Sequence, residues 1–503
     1  MEFQLPEYSL RMMLPEIVLF LAALVVITFD VVTKRKSGTA VGYLAMGGLV
    51  LTAIVMATTG YGRGFGNMFI VNPLALFFKV IFIGAAFMAI GSSFGITQKK
   101  IVNHRGEFFG LIMFSTLGMM FLASSRELVS LYIGLELTTI PLFVLAGFFK
   151  DDKRSVEAGI KYLIVGAFSS ALLLYGISFL YGLTGTTDLF QMQVGLATKQ
   201  IATQGNMGAI MVVAIVTIVA GLGFKLALPP FHQWAPDVYE GAPTPVTAFL
   251  SVGSKAAGLV AFVKVVVIGL YSFYEPLMKP NDWGIMVGVL AAVATILGNT
   301  VAIRQTNIKR MLAYSSIAHV GYMMIGLLAM NELGLSSVAF YMFAYLFTNM
   351  GAFAIVTLVE ERTGSCDISD YNGLARSAPF VSLSLAIFLL SLTGVPPLAG
   401  FVGKFYIFAA ALKQAGSQAG QDWLYWLVGV GILTTVFALY YYANVIKMMY
   451  FGKREDPPKI TLNPPAVAVV VIGLVGVILF GLYPAPIIEF ASNIPLSYGF
   501  IVP

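Results

Sequence analysis

One cysteine, Cys366, is all the chain contains. That excludes an internal disulfide, and it excludes an iron–sulfur cluster held by this chain alone, because a cluster takes about four thiolates. Three histidines, His104, His232 and His319, are scattered without metal-ligand spacing. Charged residues make up 11% of the 503, against 58% apolar ones, far from the balance of a soluble domain. Acids are rarer still inside the apolar runs, where Glu136 is the one clearly central carboxylate.

What is abundant is apolar length. A hydrocarbon core about 30 Å thick needs about 20 apolar residues per helix, and fourteen windows satisfy this. They cover 14–33, 40–60, 68–92, 106–124, 127–149, 155–183, 206–237, 244–271, 282–302, 310–330, 335–360, 379–412, 423–450 and 464–487. The fold class expected is an all-α polytopic membrane protein. The first window is long and is followed by "KRKSG", so it reads as a retained helix and not a cleaved signal peptide. The 51 glycines suit close helix contacts in lipid.

The net charge of +6 is explained by topology. Of 30 lysines and arginines, 18 lie in odd-numbered connections and six in even-numbered ones or the N-terminal segment, so the positive-inside rule puts odd connections in the cytoplasm and both termini outside. For a bacterial inner membrane this means periplasmic termini. Nucleic acid need not be invoked. Six lysines remain inside the spans: Lys79, Lys161, Lys225, Lys255, Lys264 and Lys404. At about 2.5 to 3.5 kcal/mol each on insertion scales, they have to line a protein interior. Lys79 and Lys264 fit a structural ion pair or snorkelling and are set apart from the central site.

Two spans carry a double proline in the middle: "KLALPPFHQW" in span 7 and "LTGVPPLAGF" in span 12. They stand five spans apart. Spans 4–8 and 9–13 therefore read as two five-helix repeats, and an odd number of crossings inverts the second copy. This divides a single membrane domain into a three-helix segment (1–105), repeats at 106–271 and 282–450, and a C-terminal helix and tail (451–503). Inverted repeats with a discontinuous helix in each half are the sequence pointer to a mid-membrane ion site. Proline lacks an N–H and clashes with the carbonyl four residues earlier. Pro229 and Pro230 thus free the carbonyls of Lys225 and Leu226, and Pro396 and Pro397 those of Leu392 and Thr393. Such groups survive at membrane depth only beside protein or water, and each break has a lysine nearby, Lys225 or Lys404.

A lysine in a dry site holds its proton less firmly, and a nearby carboxylate restores the hold. At 4 Å and an effective dielectric near 20, a Glu–Lys pair interacts by about 4 kcal/mol, so moving the partner can load or unload the lysine. Glu136 is the expected partner, facing Lys225 or Lys161. Lys161 also follows Glu157 by four residues on one helix face, which suits an inlet relay near the cytoplasmic end. His319 fits either a proton shuttle or a hydrogen-bonded interior histidine, and His232 has the same two readings.

The run "GFKLALPPFHQWAPDVYEGAPTPVTAFLSVGSKAAG", Gly223 to Gly258, with the "GVPP" break and Lys404, resembles the antiporter-like membrane subunits of respiratory complex I over nearly the whole length. Lysine rather than glutamate in span 12 marks one branch of that family. The chain also ends soon after span 14, which leaves no room for a lateral helix. The resemblance implies that Glu136 and Lys225 form the regulated pair, that Lys161 and Lys255 are relays, and that Lys404 connects to the opposite side. It implies partners too: other membrane subunits and lipid, and indirectly a peripheral arm. NAD, FMN, iron–sulfur clusters and quinone are expected in those partners and no cofactor in this chain. A cation/proton antiporter subunit, a membrane-bound hydrogenase arm and a purely structural subunit are the competing readings.

Overall fold

The computed structural model describes residues 7–198, 205–270, 282–417, 420–454 and 458–492. Lys199, Lys279 and both chain ends lie outside these. Thirteen helices among the described residues are long and apolar enough to cross a membrane. They are α1 (Leu14–Val32), α2 (Ala40–Thr59), α3 (Pro73–Ser92), α4 (Arg105–Ser124), α5 (Leu128–Ala146), α6 (Lys153–Thr184), α7 (Gly205–Leu226), α8 (Thr244–Gly269), α9 (Asp282–Ala302), α10 (Ile308–Leu328), α11 (Glu332–Thr363), α13 (Trp423–Phe451) and α14 (Pro464–Leu482). Between α11 and α13 stands a broken helix, α12a (Pro379–Thr393) and α12b (Ala399–Ser417). By length and composition the described residues form a bundle of helices suited to a membrane.

Three places differ from expectation. Residues 68–71 do not begin span 3. They form part of a two-stranded hairpin, β1 (Gly62–Gly64) with β2 (Phe69–Val71). The helix starts at Pro73 because Pro suits its first turn and the Asn72 side chain accepts from the Ala75 N–H at 2.9 Å. Second, α8 contains two π-helical stretches, Leu250–Ser254 and Val263–Gly269, and both are buried. Third, acids nearer a helix end are more deeply buried than the central, half-buried Glu136. Glu16 of α1 is 1% exposed and meets Lys79 of α3 at 2.6 Å. Its place two residues into the helix hid it, since the sequence does not reveal how far the short helix Glu7–Met12 and the hairpin cover that end.

Ion pairs join the basic connections at one end of the bundle: Arg35 to Glu107 at 3.3 Å and Arg454 to Asp370 at 3.2 Å. At the other end Arg126 meets Asp188 at 3.0 Å. Burial separates the helices by role. α8, α10 and α11 are almost wholly buried, whereas α1, α2, α6, α13 and α14 turn large apolar side chains outward. The central helices are those carrying Lys255, His319 and the seam between the two breaks.

Candidate functional site

Both breaks use one backbone plan. α7 ends with Ala227 at φ 55°, followed by Leu228 and a cis Pro229–Pro230 bond; α12a ends with Gly394 at φ 93°, followed by Val395 and a cis Pro396–Pro397 bond. In the first, Leu228 N–H reaches back to the Gly223 carbonyl at 2.8 Å; in the second, Val395 N–H reaches the Leu390 carbonyl at 3.1 Å. A left-handed residue ending a helix closes such a turn. Glycine fits there without a Cβ penalty, and at Gly394 an added Cβ would also stand 3.1 Å from Lys404 Cδ.

The carbonyls expected to be freed at the second break do have a partner. Lys404 Nζ donates to Leu392 O at 3.0 Å and Thr393 O at 2.9 Å, with the Tyr322 ring centre 4.7 Å away. At the first break the arrangement differs. The Trp234 indole N–H donates to the Phe224 carbonyl at 3.0 Å. Lys225, 4% exposed, turns instead to α5 and donates to Thr139 Oγ1 at 2.5 Å.

Thr139 stands three residues after Glu136, so their side chains share a helix face. The Glu136 carboxylate acts electrostatically on Lys225, though the hydrogen bond goes to the threonine. Glu136 itself is half-buried, and its Oε1 lacks a hydrogen-bond partner. Pro141, four residues after Leu137, cannot donate to that carbonyl. Ser115 of α4 donates to the neighbouring Thr138 carbonyl at 2.9 Å. The stretch of α5 around Glu136 is therefore polar although every residue flanking it in sequence is apolar or hydroxylated.

From Lys225 the polar groups continue across the core. Tyr162, stacked on Trp234 at 4.6 Å between ring centres, lies close to Ser254, the neighbour of Lys255. Lys255 Nζ donates to Ser316 Oγ at 2.7 Å. One turn further along α10, His319 Nδ1 pairs with the Tyr341 hydroxyl, and its Nε2 lies 3.5 Å from the Tyr442 hydroxyl, which in turn meets Ser315. Lys255 and Lys404 both stand near His319. The order is thus Glu136, Lys225, Lys255, His319, Lys404. All five were singled out in the sequence, His319 with two readings open. Thr139, Ser316, Tyr341 and Tyr442, which hold them, were not, because hydroxyls inside apolar spans carry no signal of their own.

Lys161 does not face Glu136. Its Nζ lies 2.6 Å from Glu157 and 2.7 Å from Asp237, on the short helix Trp234–Gly241 after the break. Arg310 reaches the same Asp237 at 2.8 Å and Glu240 at 2.9 Å. Lys161 and Glu157 are 41% and 62% exposed at the side chain, which puts this network at the basic end of the bundle. Lys79 is held by Glu16, and Lys264 donates to the carbonyls of Ala123 and of Ser125, the latter at 2.6 Å, capping the C-terminus of α4. His232 stays by the first break near the Pro230 carbonyl, and His104 pairs with Glu107 at 2.8 Å on the surface. Among the described residues no three His, Cys, Asp or Glu side chains come together to hold a metal ion.

The geometry has counterparts. Residues 125–438 match the family model described as NADH:quinone oxidoreductase/Mrp antiporter, transmembrane. The "NADH-quinone oxidoreductase subunit N" of Desulforamulus reducens is 38% identical over 98% of this chain and 99% of its own length. That of Heliobacterium modesticaldum is 41% identical over 91% of this chain and 93% of its own. A chain of respiratory complex I from Thermus thermophilus superimposes with a TM-score of 0.77 at 28% identity, over 95% of this chain and 99% of that one. The matched region spans both broken helices and every member of the central line, and the chain belongs to the NADH:quinone oxidoreductase/Mrp antiporter transmembrane family.

Proposed function

We propose that the chain is a proton-translocating membrane-arm subunit of an NADH:quinone oxidoreductase, embedded in a bacterial cytoplasmic membrane with both termini periplasmic. The observation that carries this is the buried line from Glu136 through Lys225, Lys255 and His319 to Lys404, which runs from the first helix break to the second. Its lysines are buried (2–4% exposed), with hydroxyl and carbonyl partners instead of salt bridges. A lysine so placed can give up and regain a proton as its surroundings change. Glu136 and Lys225 form the adjustable pair. Lys161, with Glu157, supplies protons from the cytoplasmic end, Lys255 and His319 pass them on, and Lys404 delivers them towards the opposite side. Repeats at 106–271 and 282–450 contribute one break each.

Full-length correspondence with subunit N relatives favours this over a cation/proton antiporter subunit. Flavin, iron–sulfur clusters, NAD and quinone then belong to partner subunits, and energy reaches this chain through its neighbours. The test is donor-driven, quinone-dependent proton pumping in vesicles by the assembled complex with Lys225→Met. Loss of pumping and turnover together is the expected result. Undiminished pumping would make the broken helix structural and remove the translocation role.

A further inference from the structure

Besides Lys255 and Tyr341, the seam between α8 and α11 carries polar groups that the line above does not use. On α8, Thr244, Thr247, Ser251 and Lys255 are spaced by three, four and four residues, hence on one face. On α11, Glu360, Asn349, Tyr345 and Tyr341 are spaced by eleven, four and four, again one face. The two helices run antiparallel, and the faces meet in register. Thr244 donates to the Glu360 carboxylate at the basic end, and Asn349 Nδ2 donates to Ser251 Oγ at 2.6 Å midway. One turn beyond Ser251 stands Lys255, with the Tyr345 ring centre 5.1 Å from that of His319.

Thr244, Ser251 and Asn349 are 0–1% exposed, yet Asn349 Oδ1 and the Tyr345 hydroxyl have no hydrogen-bond partner in the protein. Buried polar atoms are seldom left so, and they mark places where ordered water bridges groups. Glu360 alone is partly open to the surface, three residues before α11 ends at Thr363. The π-helical turn Leu250–Ser254 lies in the same stretch. Such turns inside α-helices are frequent at functional sites.

We infer that this seam is a second proton inlet, in which Glu360 takes a proton at the basic end and water held by the Thr244 and Ser251 hydroxyls and oriented by the Asn349 amide carries it to the Lys255 amine. It rests on the proposed translocation role and adds to the Lys161 side a route that enters the line at its middle. Each step is a proton passed between oxygen and nitrogen atoms, so no redox partner is needed. From Thr244 to Ser251 the climb is seven residues, about 10 Å at 1.5 Å per residue, a distance bridged by bound water rather than by a direct bond.

The experiment uses the intact complex in vesicles, with assembly verified. Glu360→Gln is expected to slow pumping and turnover by at least about tenfold, less than the roughly 10²–10⁴-fold that a lone proton-transfer group contributes, because the Lys161 side stays open. Asn349→Leu should behave alike, and Glu360→Asp should retain most activity. A Glu360→Ala complex should regain turnover when a small weak acid such as formic acid is supplied at the basic end, an effect that a structural role does not produce. If Glu360→Gln does not assemble, Thr244→Val takes its place and should slow pumping in the same way. Wild-type pumping in Glu360→Gln and Asn349→Leu, beside a Lys255→Met complex that has lost it, overturns the inlet and leaves the translocation role standing. Slow Glu360 variants without weak-acid rescue overturn it too. If Lys255→Met also pumps normally, the translocation role itself fails and the inlet with it.

Discussion

Lys404 Nζ lies 2.9 Å from the carbonyl oxygen of Thr393, across the gap that Pro396 and Pro397 open in the same helix. The ammonium thus stands where the missing backbone N–H groups would have been. Removing it has two separable effects. Lys404→Met should leave the Leu392 and Thr393 carbonyls unpaired, at about 1–3 kcal/mol for each buried group, and should abolish pumping. Lys404→Arg should keep the cap and hence the thermal stability while still failing to cycle a proton, because guanidinium does not deprotonate in proteins. Melting temperature and pumping measured side by side on the two complexes decide this.

Lys225 donates to Thr139 Oγ1 rather than to the Glu136 carboxylate one helix turn away. Replacing the threonine with valine keeps the shape and removes the acceptor, so the ammonium loses about 2 kcal/mol of hydrogen bonding and settles on Glu136. Thr139→Val should assemble normally and turn over more slowly, with Thr139→Ser close to wild type. Equal turnover in the valine and wild-type complexes would show the contact to be incidental.

The Glu16–Lys79 pair is buried from both sides at 0% and 1% side-chain exposure and stands apart from the central line. Lys79→Met alone strands a buried carboxylate, and such a change costs about 3–5 kcal/mol. Combining it with Glu16→Leu should restore most of that, since apolar replacement of a buried pair is often neutral or better. Yield and melting temperature of the single and double variants test this, and pumping in the double variant should equal wild type.

Cys366, in the connection after α11, has its thiol pushed up to about 12 by burial, with Glu360 adding to the rise and Lys309 opposing it. Only the thiolate attacks an alkylating reagent, so at pH 8 about one molecule in ten thousand is reactive. Folded protein should resist maleimide at pH 8, react about tenfold faster for each pH unit gained, and label fully once unfolded. Rapid labelling of the native form at pH 8 would contradict this environment.

The span pattern was legible because each helix has to satisfy a local condition, about 20 apolar residues between polar breaks. The hairpin before α3 escaped, where Phe69, Ile70 and Val71 prolong the apolar run without belonging to the helix. Lys225, Lys255 and Lys404 announced themselves by their insertion cost, and the prolines by the hydrogen bonds they cannot make. Their partners did not. Asp237 sits in the quoted motif, but its link to Lys161 and Arg310 joins helices 76 and 73 residues apart.

By itself, then, the sequence determined the membrane class, the two breaks and the central charges, because hydropathy, proline geometry and the price of burying an ammonium act within a few residues. Only the tertiary structure decided which groups face each ammonium: Thr139 ahead of Glu136 for Lys225, Ser316 for Lys255, the opened carbonyls for Lys404, and Glu16 for Lys79. The physical reason is that a hydroxyl or a backbone carbonyl is cheap to place in a helix and ubiquitous along the chain. It becomes the partner of a buried charge only when packing brings it within about 3 Å.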